Sequence, residues 1–246
     1  MNLHLRKDLE NLKSRILRVA VAVEENVARS VNAIGELSED GANKVVGEDA
    51  HIDKMEVDTE EECLKILALH QPVASDLRFV ITVLKINNEL EHIGDMACNI
   101  VKRIRFIKER PIGQIPFNLD MISRQTIKML KDSLDAFIRE DEFLALQVCE
   151  DDKIIDDENR DCYLNVGKAI SEDINSAMTE INYLLISKAF ERIADLCTNI
   201  AEDVIYMKYS IIVRHNMKDS QNIRRYFETQ NIDKLEKLGE IGGPEE

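Results

Sequence analysis

Apolar residues recur at helical spacing through most of the chain and divide it into six long segments. The first segment, about 5–37, places an apolar side chain every three or four residues, which predicts one continuous amphipathic helix. These side chains belong to Leu12, Ile16, Val19, Val23, Val27, Val31 and Ile34. Turn-forming residues separate this segment from five others, at about 41–70, 72–109, 119–139, 142–169 and 175–213. Helices of this length are typical of elongated antiparallel bundles with short loops.

The second half of this pattern repeats the first. Residues 90–101 align with 190–201 at a shift of 100 positions, and five of the twelve positions are identical, where chance gives roughly one. The identical pairs are Glu91/Glu191, Ile93/Ile193, Asp95/Asp195, Asn99/Asn199 and Ile100/Ile200. A shift of 103 aligns Ala33/Ala136, Glu39/Glu142, Val45/Val148, Asp49/Asp152, Ile52/Ile155 and Asp53/Asp156. The duplication predicts an all-α fold of two tandem, pseudo-symmetric three-helix bundles.

Breaks in the pattern divide the chain into three parts. Proline and glycine cluster at Pro111, Gly113 and Pro116, which indicates a linker. We therefore expect a first three-helix repeat over 1–110 and a second over 117–215. The remaining residues, 216–246, form a C-terminal extension that is rich in charge, and we expect its end to be frayed.

Composition and charge exclude several classes of protein. The chain has 246 residues with 47 acidic and 32 basic side chains, which gives a formal net charge of −15. This charge argues against nucleic acid as a partner, because nucleic-acid binding requires basic surfaces that neutralise phosphates. A hydrophobic content of 44% excludes an acidic disordered chain. With 9 glycines, 4 prolines and no tryptophan, an all-β fold with its many turns is disfavoured.

The expected compartment is the cytoplasm. The N-terminal residues carry no apolar signal segment, and the longest apolar runs are far shorter than the roughly 20 residues of a spanning helix. The five cysteines are scattered and form no C-x-x-C pair, which is typical of a reducing environment. We expect the protein to reach a membrane through its partners alone.

The residues that recur in both halves include a set of carboxylates at helical spacing. The third helix carries Glu91-x-x-x-Asp95-x-x-x-Asn99, and the second carries Asp49-x-x-x-Asp53. The second half repeats these positions as Asp152, Asp156, Glu191, Asp195 and Asn199. Residues four apart share one face of a helix, and like charges there destabilise it unless something offsets their repulsion. A bound cation with oxygen ligands offsets it, which predicts divalent or iron-type metal ions, in mononuclear or multinuclear sites.

Three other interpretations of this acidic set stay open at this point. In the first, the acidic stripes lie on a solvated helix face. In the second, they bind arginines such as Arg78, Arg103 and Arg192 across the bundle. In the third, they hold the metal ions of a carboxylate-bridged metalloenzyme. The ferritin-like form of the enzyme requires Glu-x-x-His motifs, and the third and sixth helices contain none. Nucleotide-binding glycine motifs are also absent from the sequence.

Two stretches of the chain resemble a known family. The residues LHQPVASDLR at 69–78, LKI at 84–86 and LEHIGDMACNI at 90–100 are similar to the signature of the PhoU family. The stretch FERIADLCTNIAEDV at 190–204 resembles the last helix of that family. The resemblance covers about 5–215, which is nearly the whole chain.

The resemblance implies a fold, a function and partners. PhoU-like proteins have two three-helix bundles, associate as homodimers and bind multinuclear metal clusters through E(D)-x-x-x-D motifs. They are cytoplasmic, non-enzymatic negative regulators of phosphate uptake and phosphate-starvation signalling. Their partners are the phosphate-specific ABC transporter and a sensor histidine kinase. The family's Asp-Leu-Arg element falls on Asp76 and Arg78, whereas the second half has Ser176 and Met178 at these positions.

Overall fold

The fold was analysed in a computed structural model, which describes residues 3–109, 114–210 and 229. Its helices are α1 (Leu3–Glu36), α2 (Glu39–His70), α3 (Ala74–Val101), α4 (Ile104–Glu109), α5 (Leu119–Arg139), α6 (Glu142–Glu172) and α7 (Ala177–Tyr209). A short 3-10 helix, Ile174–Ser176, precedes α7. The described residues contain no strand, and the predicted all-α fold class is confirmed.

Polar caps at the helix starts and left-handed residues at the helix ends place the helix bounds close to the predicted positions. The Ser38 side chain accepts a hydrogen bond from the Gly41 amide at the start of α2, and Asp141 accepts two at the start of α6. Such caps satisfy amides that have no partner within the helix. Gly41 has a second role, because a Cβ there would lie 2.9 Å from the Ala33 Cβ. The missing side chain therefore lets α2 begin close to the end of α1.

The prediction for the third helix is wrong in one respect. The pattern indicates one helix to residue 109, but α3 ends at Val101 and the separate α4 begins at Ile104. The Arg103 amide donates to the Ile100 carbonyl at 3.2 Å, a spacing of three residues that tightens the last turn. The periodic apolar positions continue across this tight turn, with Ile104 and Ile107 buried, so the pattern gives no sign of the break.

The helices form the two predicted bundles. Helices α1, α2 and α3 pack together, as do α5, α6 and α7. The equivalent isoleucines of the two repeats are fully buried in each, at Ile52/Ile155, Ile93/Ile193 and Ile100/Ile200. Burial of such side chains, at about 25 cal/mol per Å² of apolar surface, is the main force that holds three-helix units together.

Helices α3 and α7 join the two repeats. They pack against each other, and α1 also contacts α5, so the apolar cores of the two repeats are continuous. Polar contacts cross the same interface, where Lys85 Nζ lies 2.8 Å from Asp203 Oδ1 and Arg78 Nε donates to the Met207 carbonyl at 3.2 Å. Within residues 3–109 and 114–210, none of the helices is both long and apolar enough to span a lipid bilayer.

The predicted boundaries between the repeats and the extension fall partly outside the described residues. The linker at 110–113 and most of the extension at 216–246 belong to the part of the chain that the structure does not describe. The division into 1–110, 117–215 and 216–246 therefore stays a prediction.

Candidate metal centre

Helices α2 and α3 bring the predicted carboxylates of the first repeat to one edge of the bundle. Asp49 lies directly over α3, since a Cβ built on Gly94 would be 3.5 Å from Asp49 Oδ1. Gly94 falls between Glu91 and Asp95, so the acidic stripes of the two helices face each other. Asp53 and Asp95 are exposed to solvent, whereas Asp49 and Glu91 are half-buried. The first repeat thus carries four facing carboxylates at the bundle surface.

The pKa values of these groups show that their charges interact. Burial raises the pKa of Asp49 above its usual value, and the charges of Asp53 and Asp95 raise it further. Burial is also the largest cause that raises the pKa of Glu91, followed by the charge of Asp95. A raised carboxyl pKa means that negative charge is costly at the site. A cation would lower that cost.

The second repeat places its carboxylates in the same way between α6 and α7. Burial raises the pKa of Asp152 to about 7, and the charges of Asp156, Asp195 and Glu191 add to the effect. The Asp152 Oδ1 atom is buried and has no hydrogen-bond partner in the described structure. A buried carboxylate oxygen without a donor is destabilising, and it is a suitable ligand atom for a hard cation.

The side chains of the two asparagines predicted as metal ligands contact different groups in the two repeats. Asn99 Nδ2 lies 3.9 Å from Met96 Sδ on its own helix. Asn199 Nδ2 donates to Glu89 Oε2 at 3.4 Å, across the interface between the repeats. The structure therefore directs the Asn199 amide toward α3 of the first repeat.

Two further residues belong to the first acidic edge, and the sequence interpretation missed them. Glu56 follows Asp53 on α2, and the charges of Glu60, Glu91 and Asp53 add to the burial that raises its pKa. The spacing of Glu56 after Asp49 and Asp53 in the sequence could have identified it as a member of the acidic edge. The Cys98 thiol of α3 donates to the Val45 carbonyl of α2 at 3.8 Å. From its place beside Asp49 it offsets part of the burial that raises the pKa of that carboxyl, a contact between helices that spacing along one helix does not show.

The side chains do not enclose an ion position as they stand. In the described ranges, no group of three or more His, Cys, Asp or Glu side chains is arranged to hold a metal ion. The donor types and the orphaned Asp152 oxygen fit a hard cation, and ion binding would require the carboxylates to change rotamer. Asp and Glu side chains at a half-exposed bundle edge have the freedom to do so.

Asp76 and Arg78 lie away from the acidic edges. Asp76 occupies the first turn of α3 and lines a groove between the repeats. Arg78 holds the Met207 carbonyl near the end of α7. The Asp-Leu-Arg element thus belongs to the junction of the repeats rather than to the candidate metal centre.

Comparison with known proteins agrees with this architecture. The family model described as the PhoU domain matches twice, over residues 16–104 and 119–204. The chain belongs to the PhoU family. Its two matches coincide with the two helical bundles, which confirms the resemblance stated from the signature residues.

Individual relatives match over most of their length. The Phosphate-specific transport system accessory protein PhoU homolog 1 of Thermotoga maritima is 32% identical over 208 residues, which cover 84% of this chain and 90% of the relative. The Escherichia coli K12 Phosphate-specific transport system accessory protein PhoU is 31% identical over 208 residues, covering 85% and 86%. These relatives are named as accessory proteins rather than as enzymes.

Two crystal structures share the fold. PhoU from Pseudomonas aeruginosa superposes with a TM-score of 0.80 at 35% identity, covering 84% of this chain and 99% of that one. The phosphate transport system regulatory protein PhoU from Streptococcus pneumoniae gives a TM-score of 0.76 at 26% identity, covering 85% and 99%. Both fits extend over both repeats.

Proposed function

We propose that this protein is a metal-binding, non-enzymatic regulator accessory to a phosphate-specific transport system. The observation that carries the proposal is the duplicated carboxylate set, placed at equivalent helix–helix edges of a PhoU-family fold. Asp49, Asp53, Glu91 and Asp95 supply the ligand oxygens in the first repeat. Their equivalents Asp152, Asp156, Glu191 and Asp195 supply them in the second.

The proposed regulation is negative and acts in the cytoplasm. The protein restrains phosphate uptake through the ABC transporter and phosphate-starvation signalling through a sensor histidine kinase. The relatives' names as transport accessory and regulatory proteins support the first partner. The rigid bundle gives the metal a structural role, since an ion that bridges α2 and α3 favours the folded arrangement by its binding free energy.

Thermal melts of Asp95→Asn test the metal assignment, because the substitution has opposite effects with and without metal. In chelator, removal of one charge relieves repulsion with Glu91 and leaves stability unchanged or raises it. With saturating Mn²⁺ or Fe²⁺, the variant is less stable than wild type, because binding energy is lost; at a metal concentration of 100 times Kd the ion contributes about 2.7 kcal/mol.

Asp58→Asn is the matched control for this experiment, since Asp58 is an exposed residue of α2 outside the proposed ligand set. It should behave like wild type in chelator and in metal. Elemental analysis of protein purified without added metal provides a second readout. An equal difference between wild type and Asp95→Asn in chelator and in metal would contradict the metal assignment.

Uptake measurements test the regulatory part. A strain that lacks this protein should take up labelled phosphate faster than wild type in phosphate-rich medium, and the restored gene should return uptake to its normal rate. Pull-down of the full chain from the same medium should recover the transporter and the kinase. Unchanged uptake in the deletion strain would contradict the proposed regulatory function, even if the purified protein contains metal.

We propose further that the protein is a homodimer. An exposed apolar stripe runs from the 3-10 helix into the start of α7. It consists of Ile174, Met178, Ile181 and Leu185, whose exposed fractions are 72%, 57%, 44% and 40%. Within α7, spacings of three and four residues place Met178, Ile181 and Leu185 on one helix face, and such a stripe favours association. Light scattering should give about twice the 28.2 kDa chain mass at micromolar concentration, and a monomer mass across a range of salt would refute the dimer.

A further inference from the structure

A surface groove of about 430 Å³ lies between α1 and α2 of the first repeat. Its apolar lining consists of Leu17, Val21 and Ala22 of α1 and Met55 of α2. Val21 has 53% of its surface exposed although its side chain is apolar. We call this feature the α1–α2 groove. The candidate metal centres lie between α2 and α3 and between α6 and α7, so the groove is on a different edge of the first repeat.

The two helices that form the α1–α2 groove are held in place by contacts within the repeat. Helix α1 packs against α2, and apolar side chains of both helices belong to the core. Two ion pairs also join these helices, since Arg15 lies 3.9 Å from Glu62 and Arg29 lies 3.9 Å from Glu48. Arg15 and Arg29 are 14 positions apart on α1, which corresponds to about 21 Å along a helix. The space between the two ion pairs is therefore long enough for about four helical turns.

The two ends of the groove carry different charges. Arg29 lies 2.7 Å from Glu25 and 3.9 Å from Glu48, so these two carboxylates share one end. Arg18 precedes Glu25 by seven positions on α1, which places it about 10 Å away toward the other end. The acidic end thus has two carboxylates for one guanidinium. A bound helix complements this arrangement, because its N-terminus bears a partial positive charge and its C-terminus a partial negative charge.

The equivalent cleft of the second repeat is lined by polar and charged side chains. At the shift of 103 positions that relates the repeats, Val21 corresponds to Arg124. Lys128 of α5 lies 2.6 Å from Asp151 of α6, and Gln147 donates to Asp151 at 2.8 Å. The same three-helix unit therefore forms with polar groups at this position. Because the fold does not require an apolar groove there, the exposed apolar surface of the first repeat indicates contact with another molecule.

The shape and chemistry of the groove fit one amphipathic helix. Helices that dock in grooves contribute apolar side chains at spacings of three and four residues. Leu17 and Val21 have the same four-residue spacing on α1, so side chains of a docked helix can interdigitate with them. Met55 adds a flexible side chain that adapts to its neighbours. Apolar burial provides the affinity, and the different charges of the two ends determine the orientation.

We propose that the α1–α2 groove binds an amphipathic helix of a partner protein, with the N-terminal end of that helix toward Glu25 and Glu48. The helix has an apolar stripe, basic residues near its N-terminus and acidic residues near its C-terminus. The proposal rests on the regulatory function proposed above, to which it adds the surface that holds a partner. The apolar stripe that favours a homodimer lies in the second repeat, so a dimer formed there does not require this groove.

Two synthetic peptides test this docking on the full chain. Each has about 14 residues, leucines at spacings of three and four, and a staple on the opposite face that keeps it helical. One peptide carries lysines in its first turn and glutamates in its last turn, and the other carries the reverse. By fluorescence anisotropy, the wild-type protein should bind the lysine-first peptide at least threefold more tightly than the reversed peptide. Equal affinities, or no binding of either peptide, would overturn the proposal.

Val21→Glu tests whether the peptide occupies the groove. The substitution replaces an apolar contact by a charge and should weaken binding of the lysine-first peptide about tenfold. Because Val21 is exposed, the variant should keep the Tm of wild type. Arg124→Glu is the matched control, since it introduces the same residue at the equivalent position of the second repeat and should leave the affinity unchanged. Unchanged affinity in Val21→Glu, or an equal loss in both variants, overturns the proposal.

Reversal of the groove charges tests the orientation of the bound helix. Arg18→Glu combined with Glu25→Lys exchanges the signs at the two ends, so the double variant should bind the reversed peptide more tightly than the lysine-first peptide. A double variant that keeps the wild-type preference contradicts the proposal.

Pull-down of the full chain separates failure of this docking from failure of the proposed function. Val21→Glu should lose the transporter or the kinase that wild type recovers, with an unchanged metal content. Recovery of the same partners by wild type and by Val21→Glu overturns the docking alone, whereas recovery of neither partner by wild type contradicts the regulatory function and the docking with it. Light scattering should give wild type and Val21→Glu the same mass. A change from dimer to monomer would assign the groove to a second copy of the chain and overturn the proposal.

Discussion

The two repeats place the same carboxylates at the same helix edge but surround them with different charges. In the second repeat, Lys188 lies 2.8 Å from Glu191 and Arg192 lies 3.6 Å from Asp195. In the first repeat, His92 lies 3.5 Å from Glu91, and no described Lys or Arg forms an ion pair with its four carboxylates. The second repeat therefore offsets more of its repulsion through ion pairs with Lys and Arg side chains than the first repeat does.

The cores of the repeats differ as well. Val80 of the first repeat is fully buried, and its equivalent in the second is Glu180, a carboxyl with 4% of its surface exposed. The Glu180 Oε2 atom has no hydrogen-bond partner in the described structure, and burial alone raises the pKa of this group. Duplication thus preserved the fold while one copy accepted a buried carboxyl with an unpaired oxygen, which costs stability.

Metal binding should show the largest difference between the repeats. We expect Asp95→Asn to weaken Mn²⁺ binding to the chelator-stripped protein about tenfold or more, because ligand charge determines the affinity of hard cations. Asp195→Asn should have a smaller effect, since Arg192 already neutralises part of that site. Isothermal titration of the two variants measures this directly, and equal losses of affinity would remove the distinction between the repeats.

The buried carboxyl should show the next largest effect. Glu180→Val introduces the residue of the first repeat and should stabilise the protein by about 1–3 kcal/mol at pH 8, since an unpaired buried polar group is removed. Because the folded-state pKa is raised, this group favours folding most below the usual carboxyl pKa of 4.5 and less as pH rises.

The advantage of Glu180→Val should therefore grow between pH 4 and pH 8, as measured by urea unfolding in chelator. Glu172→Val, at an exposed position near the end of α6, is the control for adding an apolar residue and should show no such trend. An advantage that is constant with pH would contradict the ionisation of Glu180 in the folded protein.

A smaller effect is expected at Gly94, whose equivalent in the second repeat is Ala194. A Cβ at Gly94 makes ordinary van der Waals contacts, at 3.5 Å to Asp49 and 3.6 Å to Ile52. Gly94→Ala should then stabilise α3 by about 0.5–1 kcal/mol through reduced entropy of the unfolded chain. Thermal unfolding in chelator provides the measurement, and a lower Tm would show that the first repeat needs the space above Asp49.

The smallest effect is expected at Lys188, which is Asn88 in the first repeat. Lys188→Asn should lower stability in chelator by about 0.2–1 kcal/mol, the usual contribution of an exposed ion pair, and should leave the second repeat more dependent on added metal. Melts with and without Mn²⁺ test this. Stabilisation in chelator would mean that Lys188 does not offset the charge of Glu191.

Much of the fold followed from local patterns in the sequence. The stripe from Leu12 to Ile34 predicted α1, and the shift of 100 positions predicted the second bundle. The four-residue spacing of Glu91 and Asp95 placed both on one face of α3. These inferences succeeded because helix formation and the face of each residue depend on near neighbours in the chain.

Contacts between helices could not be predicted from these local sequence patterns. The sequence did not reveal that Cys98 of α3 donates to the Val45 carbonyl of α2, that Asn199 faces Glu89, or that α3 ends at Val101. It also gave no reason to expect Glu180 in the core. The contacts and the burial of Glu180 depend on which residue of another helix lies opposite, and the regular periodicity of one helix does not determine this. The end of α3 depends on a tight turn across which the apolar periodicity continues.

The sequence by itself therefore determined the helices, their duplication and the acidic stripes that each helix carries. Tertiary structure alone decided which stripes face each other, which carboxylates lose water and how α3 and α7 join the repeats. The physical reason is that periodicity and capping act over a few residues, whereas burial and charge interaction depend on groups that are distant in the chain. Asp49 and Asp95 meet within one repeat, and Glu89 and Asn199, 110 positions apart, meet between the repeats.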